Sequence, residues 1–179
     1  MLLLGNVSAA TIYTTVLTGG NEVPPVSSTA TGTSMVTLNG DMLTVSETFS
    51  GLVGGAASAA HIHCCALPGN NAGVAVPFVN FPSATSGNYT MSFDLTLAST
   101  YTSAFLAAHS GTAAGAEAAL VNGLNNDMAY ANIHNSVYPG GEIRGWLAAS
   151  TTSVPEPGTA ALFLLGLAPA AAIVRKKRS

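Results

Sequence analysis

The sequence predicts a mainly β chain: an antiparallel sandwich or barrel with one or two short helices, followed by an apolar C-terminal span. Short runs rich in Thr, Val and Ile recur along residues 11–149, separated at close intervals by Gly, Asn and Pro. Such runs between turn signals read as strands of an all-β domain. Several of them alternate apolar with polar residues, the period of a strand with one buried face. Only residues 101–122 depart from this pattern, with Ala-rich stretches that do not alternate.

Taken in order, residues 11–18 (TIYTTVLT) form the first strand, ended by Gly19-Gly20-Asn21 and Pro24-Pro25. Residues 31–38 and 42–49 form a hairpin around Asn39-Gly40-Asp41. In the second arm Leu43, Val45 and Phe49 share a face that Glu47 interrupts. Residues 58–63 give a further strand, and residues 74–79 an edge strand, because Pro77 cannot donate to a neighbour. Residues 88–97 place Tyr89, Met91, Phe93, Leu95 and Leu97 on one face. Residues 101–108 and 113–121 are the two predicted helices. Residues 128–134 and 142–147 return to strand, on either side of Tyr138-Pro139-Gly140-Gly141.

Only 7% of the residues are charged, against about a quarter in ordinary soluble domains. Residues 1–174 hold one basic and eight acidic residues, a formal charge of −7, with Arg144 as the sole cation. Nucleic-acid binding needs Lys and Arg to displace counterions from phosphates, so that class is excluded. Thr, Ser, Asn and Gly must build the surface, which suits an extracellular β domain. Residues 1–10 (MLLLGNVSAA) read as the remnant of a secretory signal, with small residues at a cleavage site but no basic start. The alternative is a few loose residues before the first strand.

The end of the chain has three parts: Val154-Pro155-Glu156-Pro157, an apolar run to Val174, and Arg175-Lys176-Lys177-Arg178. Residues 150–157 read as a stalk, 158–174 as a transmembrane helix, and 175–179 as a basic cytoplasmic end. The apolar run is shorter than the ~20 residues that span a bilayer comfortably, and snorkelling Lys and Arg make up part of the difference. A buried core helix is the competing reading. It would have to hide Gly166 and Pro169 and leave four adjacent charges at its end. This tail closely resembles the PEP-CTERM sorting signal of Gram-negative bacteria. The resemblance implies recognition by an exosortase, transient residence in the inner membrane, cleavage near Pro-Glu-Pro, and delivery to the cell surface or exopolysaccharide.

The body resembles the CHRD domain. The residues that carry this are 17–25 (LTGGNEVPP), Thr31-Gly32-Thr33, Phe49-Ser50-Gly51-Leu52, Ala60-His61-Ile62-His63, Tyr130-Ala131-Asn132-Ile133-His134, and residues 138–145 (YPGGEIRG). They span about residues 11–149, in the family's order. The resemblance implies an immunoglobulin-like or superoxide-dismutase-like sandwich and brings no settled activity, so the body is expected to act as a non-enzymatic module.

His61-Ile62-His63 is the leading site candidate. Residues two apart on a strand point the same way, so both imidazoles can reach one copper or zinc ion, with Ile62 in the core. His134 can join them, and it shares a strand face with Asn132 and Tyr130. The alternative is that these histidines bond loop backbone and cap the sandwich. A His-x-His pair with a distant His also resembles the copper half of the copper/zinc superoxide dismutases. The further His and Asp ligands of their zinc have no counterpart here, and His109 falls in a predicted helix. Cys64 and Cys65, where the CHRD pattern often begins with Gly, can close a ring on each other, cross-link two chains, or add thiolate ligands. Glu142 and Arg144 are neighbours on one strand face, and Glu22 is a distant partner for Arg144 in a structural ion pair. The functional alternative is a charge kept for a ligand. No nucleophile–base–acid arrangement and no phosphate-binding loop is visible.

Overall fold

The computed structural model describes residues 10–150. The expected signal remnant (but for Ala10), stalk beyond Ser150, Pro-Glu-Pro motif, transmembrane helix and basic end lie outside the described residues. Among the described residues, no helix is long and apolar enough to cross a membrane.

Among the described residues there are nine strands: β1 (Thr11–Thr18), β2 (Thr31–Asn39), β3 (Met42–Ser50), β4 (Ala57–Cys64), β5 (Val74–Pro77), β6 (Gly87–Asp94), β7 (Ala129–Asn135), β8 (Ile143–Trp146) and β9 (Ala148–Ala149). They form one hydrogen-bonded sheet in the order β5-β4-β7-β8-β1-β2-β3-β6, with β9 also on β1. Every pairing is antiparallel. The mainly β, antiparallel reading holds. The two layers expected of a sandwich are here parts of a single curled sheet. Curling brings the two edges together through aromatic side chains. Phe78, just beyond β5, stacks on Tyr89 and Phe93 of β6, with centroids 5.3 and 6.1 Å apart. The Tyr89 hydroxyl donates to the Val79 carbonyl at 3.1 Å. The inward residues Tyr13, Leu17, Val36, Leu43, Val45, Ile62, Ile133 and Ile143 are fully buried and make the core.

Local chemistry explains where elements end. Asn39 pairs with Met42, so Gly40-Asp41 is a two-residue hairpin loop, and Gly40 takes the positive φ of 56° it needs. The expected strand to Leu97 stops at Asp94. There the Asp94 carboxylate accepts from the Thr96 amide at 2.9 Å and hydroxyl at 2.6 Å, a side-chain turn that competes with the ladder. Leu97 is left exposed. Helix α1 (Ser103–Ala108) begins later than expected because Thr102 is its cap, accepting from the Phe105 amide. Thr112 caps α2 (Ala113–Asn125) in the same way. That helix runs past Val121 because Leu120, Gly123 and Leu124 continue the buried stripe.

Glu47 sits among the inward residues of β3, 1% exposed, and neither carboxylate oxygen makes a hydrogen bond. Ser34 lies opposite it, close enough to pull its pKa slightly down but outside hydrogen-bonding geometry. Burial dominates and pushes the carboxyl up to about 8. A carboxyl with a higher pKa folded than unfolded leaves stability intact below the ordinary carboxylate range. That stability is lost as pH rises toward 8. Glu47→Gln is therefore expected to raise Tm by roughly 5 °C or more at about pH 8.5, and to leave it within about 2 °C at about pH 4.5. Calorimetry showing equal shifts at both pH values would contradict this.

Candidate metal centre

Strand β7, most of β8 and residues 62–64 of β4 are buried on both faces. Ala60, Ile62, Ala131, Ile133 and Ile143 enter the apolar core. The alternate residues point the other way: His61 and His63 from β4, Tyr130, Asn132 and His134 from β7, and Arg144 from β8. The register aligns His61 with Asn132 and Arg144 in one row, and His63 with Tyr130 and Trp146 in the next. Segments 19–30 and 65–73 lie over this second face. Glu22 reaches it from the first, and Asn71 and Ala72 from the second. The outcome is a buried polar layer, with Glu22, His63, Asn132, His134 and Arg144 all at most 9% exposed.

The three histidines meet in this layer. Each offers one ring nitrogen, and the three nitrogens lie within 4.8 Å of one another. His63 Nδ1 is 2.9 Å from the Ala72 carbonyl, and His134 Nδ1 is 3.0 Å from the Pro139 carbonyl. A carbonyl only accepts, so both Nδ1 atoms carry the proton and both Nε2 atoms keep a lone pair. His63 Nε2 is buried without a partner. His134 Nε2 accepts a hydrogen bond from His61 Nδ1 at 3.1 Å, through a proton that an ion would replace. Two nitrogens bound to one tetrahedral ion at ~2.05 Å stand about 3.3 Å apart, so this pair is already at ligating separation. Burial pushes His61 and His63 down to about 4 and lowers His134 as well. All three are neutral at pH 7, the form that binds a metal. The ring of His63 is further held by parallel stacking on Tyr130 at 4.7 Å, and the Tyr130 hydroxyl bonds Ala72. Ligating imidazoles characteristically donate their second nitrogen to a fixed carbonyl, and two of these three already do so.

Residues 13–147 match the family model described as the CHRD domain. The chain belongs to the CHRD family. Residues 153–178 match the PEP-CTERM protein-sorting motif, which marks the chain for export and exosortase recognition. No curated protein and no solved structure matches the chain.

Within the CHRD domain the cysteines lie apart from the histidines. Cys64 and Cys65 are bonded to each other, so of the three expected outcomes the ring is the one realised. The expectation of thiolate ligands is corrected. A metal needs a deprotonated thiol, and both sulfurs pack on α2, with Cys65 Sγ 3.4 Å from the Ala119 carbonyl oxygen. A Cβ on Gly123 would overlap Cys64 Sγ, so that glycine permits the close approach of the helix. His109 is at the end of α1, outside the histidine group.

The charged trio divides in two. Arg144 Nε donates to Glu22 Oε2 at 2.7 Å, both side chains being 2% exposed, as the expected ion pair requires. Its Nη2 donates to Asn71 Oδ1 at 2.8 Å, and its guanidinium carbon lies 4.3 Å from the centre of the Tyr130 ring. Glu142 does not join this pair, which corrects its assignment. Its carboxylate accepts from the Ser28 hydroxyl, the amides of Val53 and Gly54, and the Asn135 side chain. Burial raises its pKa, and these bonds outweigh burial and hold the carboxyl below its usual value. Side chains two apart on a strand start about 7 Å apart, and each finds a nearer partner on a different loop. Burial pushes Glu22 up to about 7, and the pull of Arg144 and Asn132 favours its carboxylate form. Asn132, Tyr130, Asn71 and the Ala72 carbonyl are the contributors that motif reading passed over. The shared face of Tyr130, Asn132 and His134 was the available signal.

Arg144→Met leaves Glu22 buried without its cation. The expected loss is about 3–5 kcal/mol, or roughly 10 °C in Tm, with partial recovery in Glu22→Gln/Arg144→Met. An unchanged Tm for the single variant would reject the structural role.

Proposed function

We propose that this CHRD protein is an exported module of the cell surface or extracellular matrix that binds one copper or zinc ion through His61, His63 and His134. It acts by binding rather than by turning over a substrate. The observation that carries this reading is the fixed tautomer of His63 and His134. Each has its Nδ1–H tied to a backbone carbonyl, and each keeps Nε2 unprotonated beside the third imidazole. Histidines that merely cap a sandwich have no need to gather three ring nitrogens within 4.8 Å.

The ligand set is borderline in softness and neutral, which suits Cu(II) or Zn(II) over the hard cations Mg(II) and Ca(II). Release near Pro155-Glu156-Pro157 would free a body whose sole cation is the paired Arg144. A bound metal ion would then add positive charge to a body whose sole Lys or Arg side chain is already paired. An exopolysaccharide is the proposed surrounding.

The test is elemental analysis of the chain after export to a periplasm and purification without chelators. We expect about one equivalent of copper or zinc. His63→Ala should lower metal affinity by at least about tenfold, since ligand loss costs no less than the 10- to 100-fold typical of an outer-shell partner. A metal-free wild type that takes up neither ion on dialysis would overturn the reading.

A further inference from the structure

The histidine layer contains a second unsatisfied acceptor. Asn132 is directly across from His61 in the β4–β7 register and two residues from His134 on β7. Its side chain is fully buried. Asn132 Nδ2 donates to Glu22 Oε1 at 2.6 Å. A carboxylate only accepts, so this bond fixes which end of the amide is nitrogen. Glu22 is itself held by Arg144. Asn132 Oδ1 is thereby locked in place, yet it makes no hydrogen bond. Burying an unpartnered carbonyl is costly, and an apolar side chain of the same shape would avoid the cost.

Two unpartnered buried atoms of this layer are alike in kind. His63 Nε2 and Asn132 Oδ1 are both acceptors, and His134 Nε2 is a third acceptor, which takes the proton of His61 Nδ1 until an ion replaces it. Acceptors gathered in one buried layer suit a cation together with a ligand that carries a proton. The one unpartnered buried donor of this face, Arg144 Nη1, belongs to the guanidinium over Tyr130. Three imidazoles leave a tetrahedral ion one position short.

We propose that Asn132 is the fourth working residue of the centre: its Oδ1 accepts a hydrogen bond from a small proton-bearing oxygen ligand, water in the resting protein, held on the ion at the position the imidazoles leave open. This rests on the metal-binding reading above. It makes the centre an open one with an exchangeable ligand, and it sets a preference. A carbonyl oxygen cannot donate, so the position favours ligands that bring a hydrogen over aprotic anions such as azide or halide. Asn132 is a positioning and specificity residue here. Arg144 and Glu22 act on it in turn, by fixing the amide.

The test uses the full-length chain, solubilised in detergent and loaded with Cu(II). Wild type should show a strongly coupled exchangeable proton from a copper-bound oxygen ligand, distinct from the weakly coupled imidazole N–H protons and lost in deuterated buffer, and should bind azide weakly. Asn132→Leu should retain copper and bind azide roughly three- to tenfold more tightly, the worth of one hydrogen bond. Unchanged azide affinity in a copper-retaining Asn132→Leu would overturn the proposal. If Asn132→Leu does not fold, the wild-type spectrum decides alone, since absence of a strongly coupled exchangeable proton beyond those of the imidazole N–H groups also overturns it. Failure of wild type to take up copper or zinc would instead remove the metal-binding reading, and this inference with it.

Discussion

The buried ion pair between Glu22 and Arg144 is the constraint on which the rest of the polar layer depends. Arg144 is the one cation among the described residues, and it is 2% exposed. A lone buried guanidinium is strongly unfavourable, and a buried carboxylate is no better. Paired at 2.7 Å they neutralise each other. Their remaining hydrogen bonds run to Asn132 and Asn71, which belong to β7 and to the segment after β4. The pair thus joins segment 19–30, segment 65–73 and the β7–β8 ladder. Such a pair adds little net stability against an apolar replacement, and what it supplies is placement. Without it, the two segments would keep separate bonds, such as those of Asn71 to Val23 and of Ala72 to His63 and Tyr130, but would lose the side chain that ties both to β8.

That cover gives the histidines their character. Under it, His63 and His134 lose enough water to stay neutral, and segment 65–73 brings the Ala72 carbonyl to His63. The Pro139 carbonyl reaches His134 from the turn before β8. A histidine cluster assembled in this way draws its geometry from strands and its tautomers from loops. The strands fix the spacing of the rings, and the loops fix which nitrogen is free. The disulfide belongs to a different part of the domain, where it seats α2 against the end of β4.

Much of this was legible in the sequence where a short-range rule governs. Alternation in residues 42–49 and 88–94, the Gly40-Asp41 loop and the Pro77 edge all follow from local chemistry. So did the shared face of His61 and His63, and the need for Arg144 to find an acid. What could not be read depended on contacts distant in sequence. The buried outer face of β7 is invisible because alternation says only that one face is covered. The separation of Glu142 from Arg144 needs knowledge of Ser28, Val53 and Gly54, which the fold brings from two other loops. The curl of one sheet rather than two stacked sheets rests on Phe78 meeting Tyr89 and Phe93 across the two edges. The tautomers of His63 and His134 likewise come from carbonyls that no motif contains.

The central claim is that three imidazoles, and no sulfur, hold one ion in the polar layer. X-ray absorption at the metal edge of the loaded full-length chain tests it most directly. The account predicts nitrogen or oxygen neighbours at about 2.0 Å with the outer-shell pattern of three imidazoles. A sulfur neighbour at about 2.3 Å, or scattering from a single imidazole, would contradict it.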